Sequence, residues 1–202
     1  MNKYELPQDR VFITTDYMRK RYGKYDPNIF KRWTQQGKVE KVRNGVYRNV
    51  DSVLRGNWDR YVIANKLQYP SYISLHSALH FYNLIPEYVF DVTSISTKKT
   101  QVFTFRNTHY TFQQLKPELF FGYQVFLWRG GQIRMALLEK VILDFAYLEP
   151  LFIDPAWLEE MRFDEDVLRE EVNWNVVDSF AKKINSTTLF KKLAALRKTY
   201  DV

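Results

Sequence analysis

The spacing of apolar positions changes several times along this chain of 202 residues, and each change marks a different kind of element. In VFITTDYMRKRYG the hydroxyl of Thr14 or Thr15 can cap a short helix, which Gly23 ends in the left-handed conformation. KYDPNIFKRWTQQGK predicts a second helix, with Asp26 as N-cap, Pro27 at the first helical position and Gly37 as the stop. Ile29, Phe30 and Trp33 form its apolar face, which leaves Asn28, Lys31, Arg32 and Gln35 pointing elsewhere. After Gly37 the period falls to two. Val39, Val42, Val46 and Tyr47 mark two strands joined at Arg43-Asn44-Gly45, with both residues of the Asn-Gly pair expected at positive φ. Two helices and a hairpin in this order predict a winged helix-turn-helix, and MNKYELPQDR gives little sign of an additional helix before it.

Turn residues cluster in DSVLRGN, which places a domain boundary between residues 1–52 and 53–202. WDRYVIANKLQ then has helical spacing, and Ser74 is placed to cap a helix over LHSALHFYNL that stops before Pro86. DVTSIST, QVFTFRN, THYTFQQL and YQVFLW alternate β-branched or aromatic residues with polar ones, and are bounded by turns at Arg106-Asn107 and Gly130-Gly131. IRMALLEKVILDFAYL, DPAWLEEM with Pro155 after Asp154, and a run from about Asp164 to Thr199 return to helix. The expected class is α+β: a winged helix-turn-helix followed by a larger domain with an antiparallel or mixed sheet and C-terminal helices.

Charge changes this picture, because it is not spread evenly. Residues 1–55 hold 13 Lys and Arg against 6 Asp and Glu, a net of +7, whereas residues 56–202 hold 17 of each. Residues 19–48 alone carry 10 basic and 2 acidic residues. A positive field confined to one small module is the footprint of a nucleic-acid binder. The absence of cysteine excludes a disulfide framework. No stretch approaches the roughly 18 apolar residues of a membrane span, and the N-terminus has no apolar signal region, so the expectation is a cytoplasmic protein without a membrane partner.

In a helix-turn-helix the second helix enters the major groove. Lys31 and Arg32 can donate to guanine or phosphate, and Asn28 and Gln35 can pair with adenine. Lys38, Lys41, Arg43 and Arg48 on the hairpin are phosphate candidates, since phosphate demands charge more than exact geometry. The expected partner is double-stranded DNA, with self-association on it as a further expectation; the apolar face of Leu189, Leu193 and Leu196 suggests docking of the last helix onto the domain and suits self-association equally. His76 and His80 are four apart on a predicted helix, but a metal would need a third ligand such as Glu87 or Asp91, and the expectation is structural histidines with no metal. Lys140 and Asp144 are i, i+4 neighbours, explained by an ion pair without catalysis. No phosphate-binding glycine loop or nucleophile elbow appears, so neither an enzyme nor a cofactor is expected.

Taken in order, VFITTDYMRKRYG, WTQQGKVEKVRNGVYR, PSYISLHSALHFYNLIPE, DVTSISTKKT, FTFRNTHYTFQQLKPELFFGY and MALLEKVILDFAYLEP resemble the AbiEi-type antitoxins, transcriptional regulators of bacterial abortive-infection systems. The resemblance spans about residues 11 to 150. It implies a repressor of its own operon that counters a companion nucleotidyltransferase toxin without forming a stable complex with it. It assigns DNA contact to Lys31, Arg32, Gln35, Lys41, Arg43 and Arg48. Tyr72, Ser74, Ser77, Glu139, Lys140 and Asp144 match recurrent family segments, as an antitoxic surface or as the core of the domain. Where the family carries a small residue and Pro before its Glu-Lys pair, this chain has Ala136-Leu137-Leu138, so the helix is expected to run on. The alternative is a stand-alone winged-helix regulator whose second domain senses a ligand or a protein partner.

Overall fold

The computed structural model describes residues 4–53 and 56–202. The chain is α+β with a mixed sheet, and it divides into two compact units: Met1–Tyr69 with Val125–Ile133, and Pro70–Gln124 with Arg134–Val202.

In the first unit β1 (Phe12–Thr14) leads into α1 (Thr15–Tyr22), which Thr14 caps by accepting the N–H of Tyr17 at 3.0 Å and Gly23 ends at φ 66°. Then follow α2 (Asn28–Gln35), β2 (Val39–Arg43) and β3 (Val46–Asn49). The three strands form an antiparallel sheet in the order β1-β3-β2. Its first strand was hidden in the sequence inside the approach to α1, because FIT is too short to show a period. Ile29, Phe30 and Trp33 bury against Tyr4, Ile13, Met18 and Val39. Each large apolar side chain so buried contributes roughly 1.5–3 kcal/mol, enough to make α2 form on packing although eight residues do not hold a helix in water.

The hairpin turn differs from the expected one. Gly45 sits at φ 78°, but Asn44 is not at positive φ, and the register slips between Lys41 and Arg43. A bulge therefore supplies the twist that two left-handed turn residues supply in a two-residue loop. Glycine is required at 45 for a second reason: a Cβ there would come 3.1 Å from Thr15 Oγ1, where Gly45 O accepts the N–H of Thr15 at 3.0 Å.

The predicted boundary at 52/53 does not match the division of the chain. Within that predicted linker Leu54 and Arg55 lie outside the described residues, as do Met1 to Lys3 in the N-terminal segment. The first unit keeps α3 (Gly56–Leu67) and the tip of the hairpin formed by β8 (Tyr123–Trp128) and β9 (Gly131–Ala136). Fully buried Asp59 holds them together by accepting from Trp128 Nε1 at 2.7 Å and Arg129 Nη1 at 2.8 Å.

The second unit contributes β4 (Ser71–Ile73), α4 (His76–Phe81), β5 (Val92–Ser96), β6 (Gln101–Phe105) and β7 (Thr108–Gln114). The sheet order is β6-β7-β5-β4-β9-β8, with β5–β7 and β4–β9 parallel and β4–β5 and β6–β7 antiparallel. Helices α5 (Leu138–Leu148), α6 (Pro155–Glu160), α7 (Trp174–Ile184) and α8 (Thr187–Tyr200) complete it. Three expectations fail here. The predicted helix over 133–148 begins only at Leu138, because GQIRMA alternates inward and outward after the Gly130 turn and joins the sheet as β9. Ser74 does not cap α4, since its hydroxyl is committed elsewhere. The C-terminal run breaks into separate helices, at Asn173, which caps α7, and at Asn185, at φ 51° before the cap Ser186.

Candidate nucleic-acid interface

The apolar stripe of α2 fixes which side chains face water. Asn28, Lys31, Arg32 and Gln35 are all exposed, as are Lys38, Lys41 and Arg43 on the hairpin. Among the described residues, Lys31, Lys38, Lys41 and Arg43 form no ion pair, so their charges are open to a ligand. Helix and hairpin are one body. The N–H of Lys38 donates to Trp33 O at 2.9 Å, and the Tyr47 ring stacks on Phe30 at 4.1 Å with an 11° interplanar angle. Lys41 is the cross-strand partner of Tyr47 and shares its face of the sheet, which puts that ammonium on the α2 side.

Arg48 departs from its expected role. Strand alternation turns it to the face opposite Tyr47, where its side chain is only 4% exposed. Its guanidinium donates to the carbonyls of Asn49 at 3.3 Å and Val50 at 3.4 Å, with Glu40 at 3.9 Å. It closes the end of the hairpin and is out of reach of a phosphate. The spacing of basic residues did not separate it from Arg43; the burial of its neighbours Val46 and Asn49 does.

Sequence reasoning counted the charge on α1 but gave it no binding role; Arg19, Lys20 and Arg21 are exposed. Lys20 pairs with Asp16 at 3.0 Å, and Arg21 donates to Tyr17 Oη at 2.5 Å, which raises the Arg21 guanidinium above its usual range. Arg10 lies over the Tyr17 ring, 4.4 Å from its centroid. An eight-residue helix with three basic residues in its last turn carried that signal.

In the second unit Tyr72, Ser74, Lys140 and Asp144, four of the residues singled out in the sequence, meet away from solvent. Lys140 Nζ contacts Asp144 Oδ1 and donates to Tyr72 Oη at 3.1 Å; Tyr72 Oη and Ser74 Oγ donate to Asp144 Oδ2 at 3.0 and 2.8 Å. Burial pushes the Asp144 carboxyl up against the opposing pull of Lys140 and the two hydroxyls, and burial beside that carboxylate pushes the Tyr72 phenol up as well. Phe121 covers Lys140, and Gly122 at φ 72° fits because a Cβ would lie 3.1 Å from Lys140 Cγ. The cluster ties β4 to α5 as a satisfied polar core. Ser77 fastens α4 to β5, accepting the N–H of Thr93 at 2.8 Å, while Glu139 stands apart and accepts the N–H of Asn173 at 3.2 Å.

His76 and His80 do not converge on a common ligand: the first ring meets Phe145 edge-on and the second meets Tyr88. Among the described residues no group of three His, Asp or Glu is placed to hold a metal ion, and no helix is long and apolar enough to cross a membrane. No protein-family model matches the chain, and no curated protein matches it.

Proposed function

We propose that the first unit is a winged helix-turn-helix with α2 as the reading helix and the β2–β3 hairpin as the wing, and that the chain is a DNA-binding transcriptional repressor. The observation that carries this reading is the set of exposed cations without ion pairs on two elements held together as one body by Trp33, Phe30 and Tyr47. Such a surface neutralises phosphates through Lys31, Lys38, Lys41 and Arg43, while Asn28, Arg32 and Gln35 are of the types that pair with base edges. Arg48 has no part in it. The further role, antitoxin of a bacterial abortive-infection pair that represses its own operon and counters a nucleotidyltransferase toxin without a stable complex, rests on the sequence resemblance. The closed Tyr72–Ser74–Lys140–Asp144 cluster supports the domain in that role and offers no surface to a toxin.

Two measurements test these parts separately. Fluorescence anisotropy with a labelled duplex from upstream of the gene gives binding that Lys31→Ala with Arg32→Ala weakens by about 2–4 kcal/mol; undiminished binding by that variant removes α2 from the mechanism. Co-expression with the adjacent gene product restores growth if the chain is an antitoxin, and a harmless neighbour retires that role. The stand-alone regulator is a second reading because the second unit carries an open cleft of about 320 Å3 lined by His76, Glu87, Trp157 and Met161, a volume on the scale of a small molecule.

A further inference from the structure

Asp26 stands two residues before α2, and its carboxylate faces two ways. Oδ1 accepts the backbone N–H of Asn28 at 2.9 Å, and Oδ2 accepts from Arg32 Nη2 at 3.2 Å. Its own backbone is anchored: the N–H of Asp26 donates to Tyr4 Oη at 3.2 Å, and Tyr4 belongs to the buried core of the unit. Helical side chains lean toward the N-terminus of their helix, and this contact carries the Arg32 guanidinium back to the end where Asn28 begins. The N-terminal part of a reading helix is the part that meets base edges.

The pair is half exposed, and such pairs add little to stability. Its physical consequence is different. It removes conformers from a long side chain that otherwise pays an ordering cost on contact, and it uses one nitrogen of a guanidinium fork whose side chain is 49% exposed. Lys31, the neighbouring cation, has no such restraint.

We propose that Asp26 is a specificity-determining residue: it holds Arg32 in one orientation so that the guanidinium reads a guanine edge and does not slide onto the adjacent phosphate. The inference rests on the reading of α2 as the helix that enters the groove. The carboxylate also repels the phosphate backbone, so Asp26 lowers affinity for unspecified DNA while raising discrimination at one base pair.

The test is selection from a randomised duplex pool with the full chain, followed by anisotropy on the selected duplex and on single-base variants. Asp26→Asn keeps an acceptor for the Asn28 N–H and so separates the cap from the hold on Arg32. The wild-type chain selects a motif in which replacing one G·C pair costs about 10-fold in affinity. Asp26→Asn keeps the rest of the motif, loses the preference at that pair and binds unselected duplex more tightly. Arg32→Lys loses the same preference, and adding Asp26→Asn to it changes nothing more. An unchanged preference in Asp26→Asn, an affinity loss equal at all sequences, an additive loss in the double variant, or a wild-type chain that binds duplex without any motif each overturns the proposal. Failure of the wild-type chain to bind any duplex retires the parent reading as well.

Discussion

Asp26–Arg32, on the surface of the first unit, and Asp144–Lys140, sealed inside the second, are both aspartate-cation pairs. Asp26 and Arg32 are 3.2 Å apart with side chains 43% and 49% exposed, whereas Asp144 and Lys140 are each 1% exposed. The same pair of charges does different work because the surroundings differ. In water the Asp26–Arg32 attraction is screened, so the pair adds little to stability and acts by narrowing the conformers of an exposed guanidinium. Inside the protein neither charge can find a substitute, and each depends on the other and on the hydroxyls of Tyr72 and Ser74. A charged pair is therefore evidence of a binding surface only where solvent reaches it.

Removing one partner from each pair breaks the comparison most sharply. Lys140→Ala strands the Asp144 carboxylate, and chemical denaturation is expected to register a loss of about 3–5 kcal/mol. Lys140→Met with Asp144→Leu recovers much of that loss because no buried charge is left alone. A double variant no better than the single one contradicts the ion-pair account. Next in size, Lys31→Ala with Arg32→Ala lowers duplex affinity by about 2–4 kcal/mol in anisotropy, a base contact and a phosphate contact together, while the denaturation midpoint stays where it was.

The same contrast exists within one hairpin, between Arg43 and Arg48. Arg48→Ala is expected to cost about 1–3 kcal/mol in denaturation, since it unpairs buried acceptors, and to leave the salt dependence of DNA binding as it was. Arg43→Ala makes the log-log salt slope shallower by about 0.9 and leaves stability within about 0.5 kcal/mol. Interchanged effects assign the phosphate contact to the wrong arginine. The smallest effect belongs to the counterpart of Lys140→Ala: Arg32→Ala alone changes stability by less than about 1 kcal/mol. A larger loss makes the surface pair structural.

What the sequence made legible follows from the range of the forces involved. Caps and stops are local, so Thr14, Gly23 and Gly37 mark the ends of α1 and α2 correctly. The strands β5, β6 and β7 are long enough to display a period, but β1 has three residues and is held by its pairing with β3, a partner more than thirty residues away. The same limit hid the strand in GQIRMA, whose apolar residues suit a helix until the hairpin with β8 decides their direction. At the candidate site, residue type and spacing picked out seven exposed side chains and misplaced one. Arg48 looks like Arg43 in sequence, and the strand face and the burial around Arg48 separate them. Asp26 was legible as the residue that starts α2, and its carboxylate accepts the Asn28 N–H, although the helix begins one residue later than expected, at Asn28 with Pro27 in the cap position. The hold of Asp26 on Arg32 was not legible, because the two are six residues apart and meet only through the lean of a long side chain at the helix end.

The central claim is that the exposed cations of α2 and the hairpin grip duplex DNA, and salt titration of binding to a labelled duplex tests it most directly. Phosphate contacts from Lys31, Lys38, Lys41 and Arg43 predict that log K falls with log salt at a slope of about −3.6. A slope near zero contradicts the account.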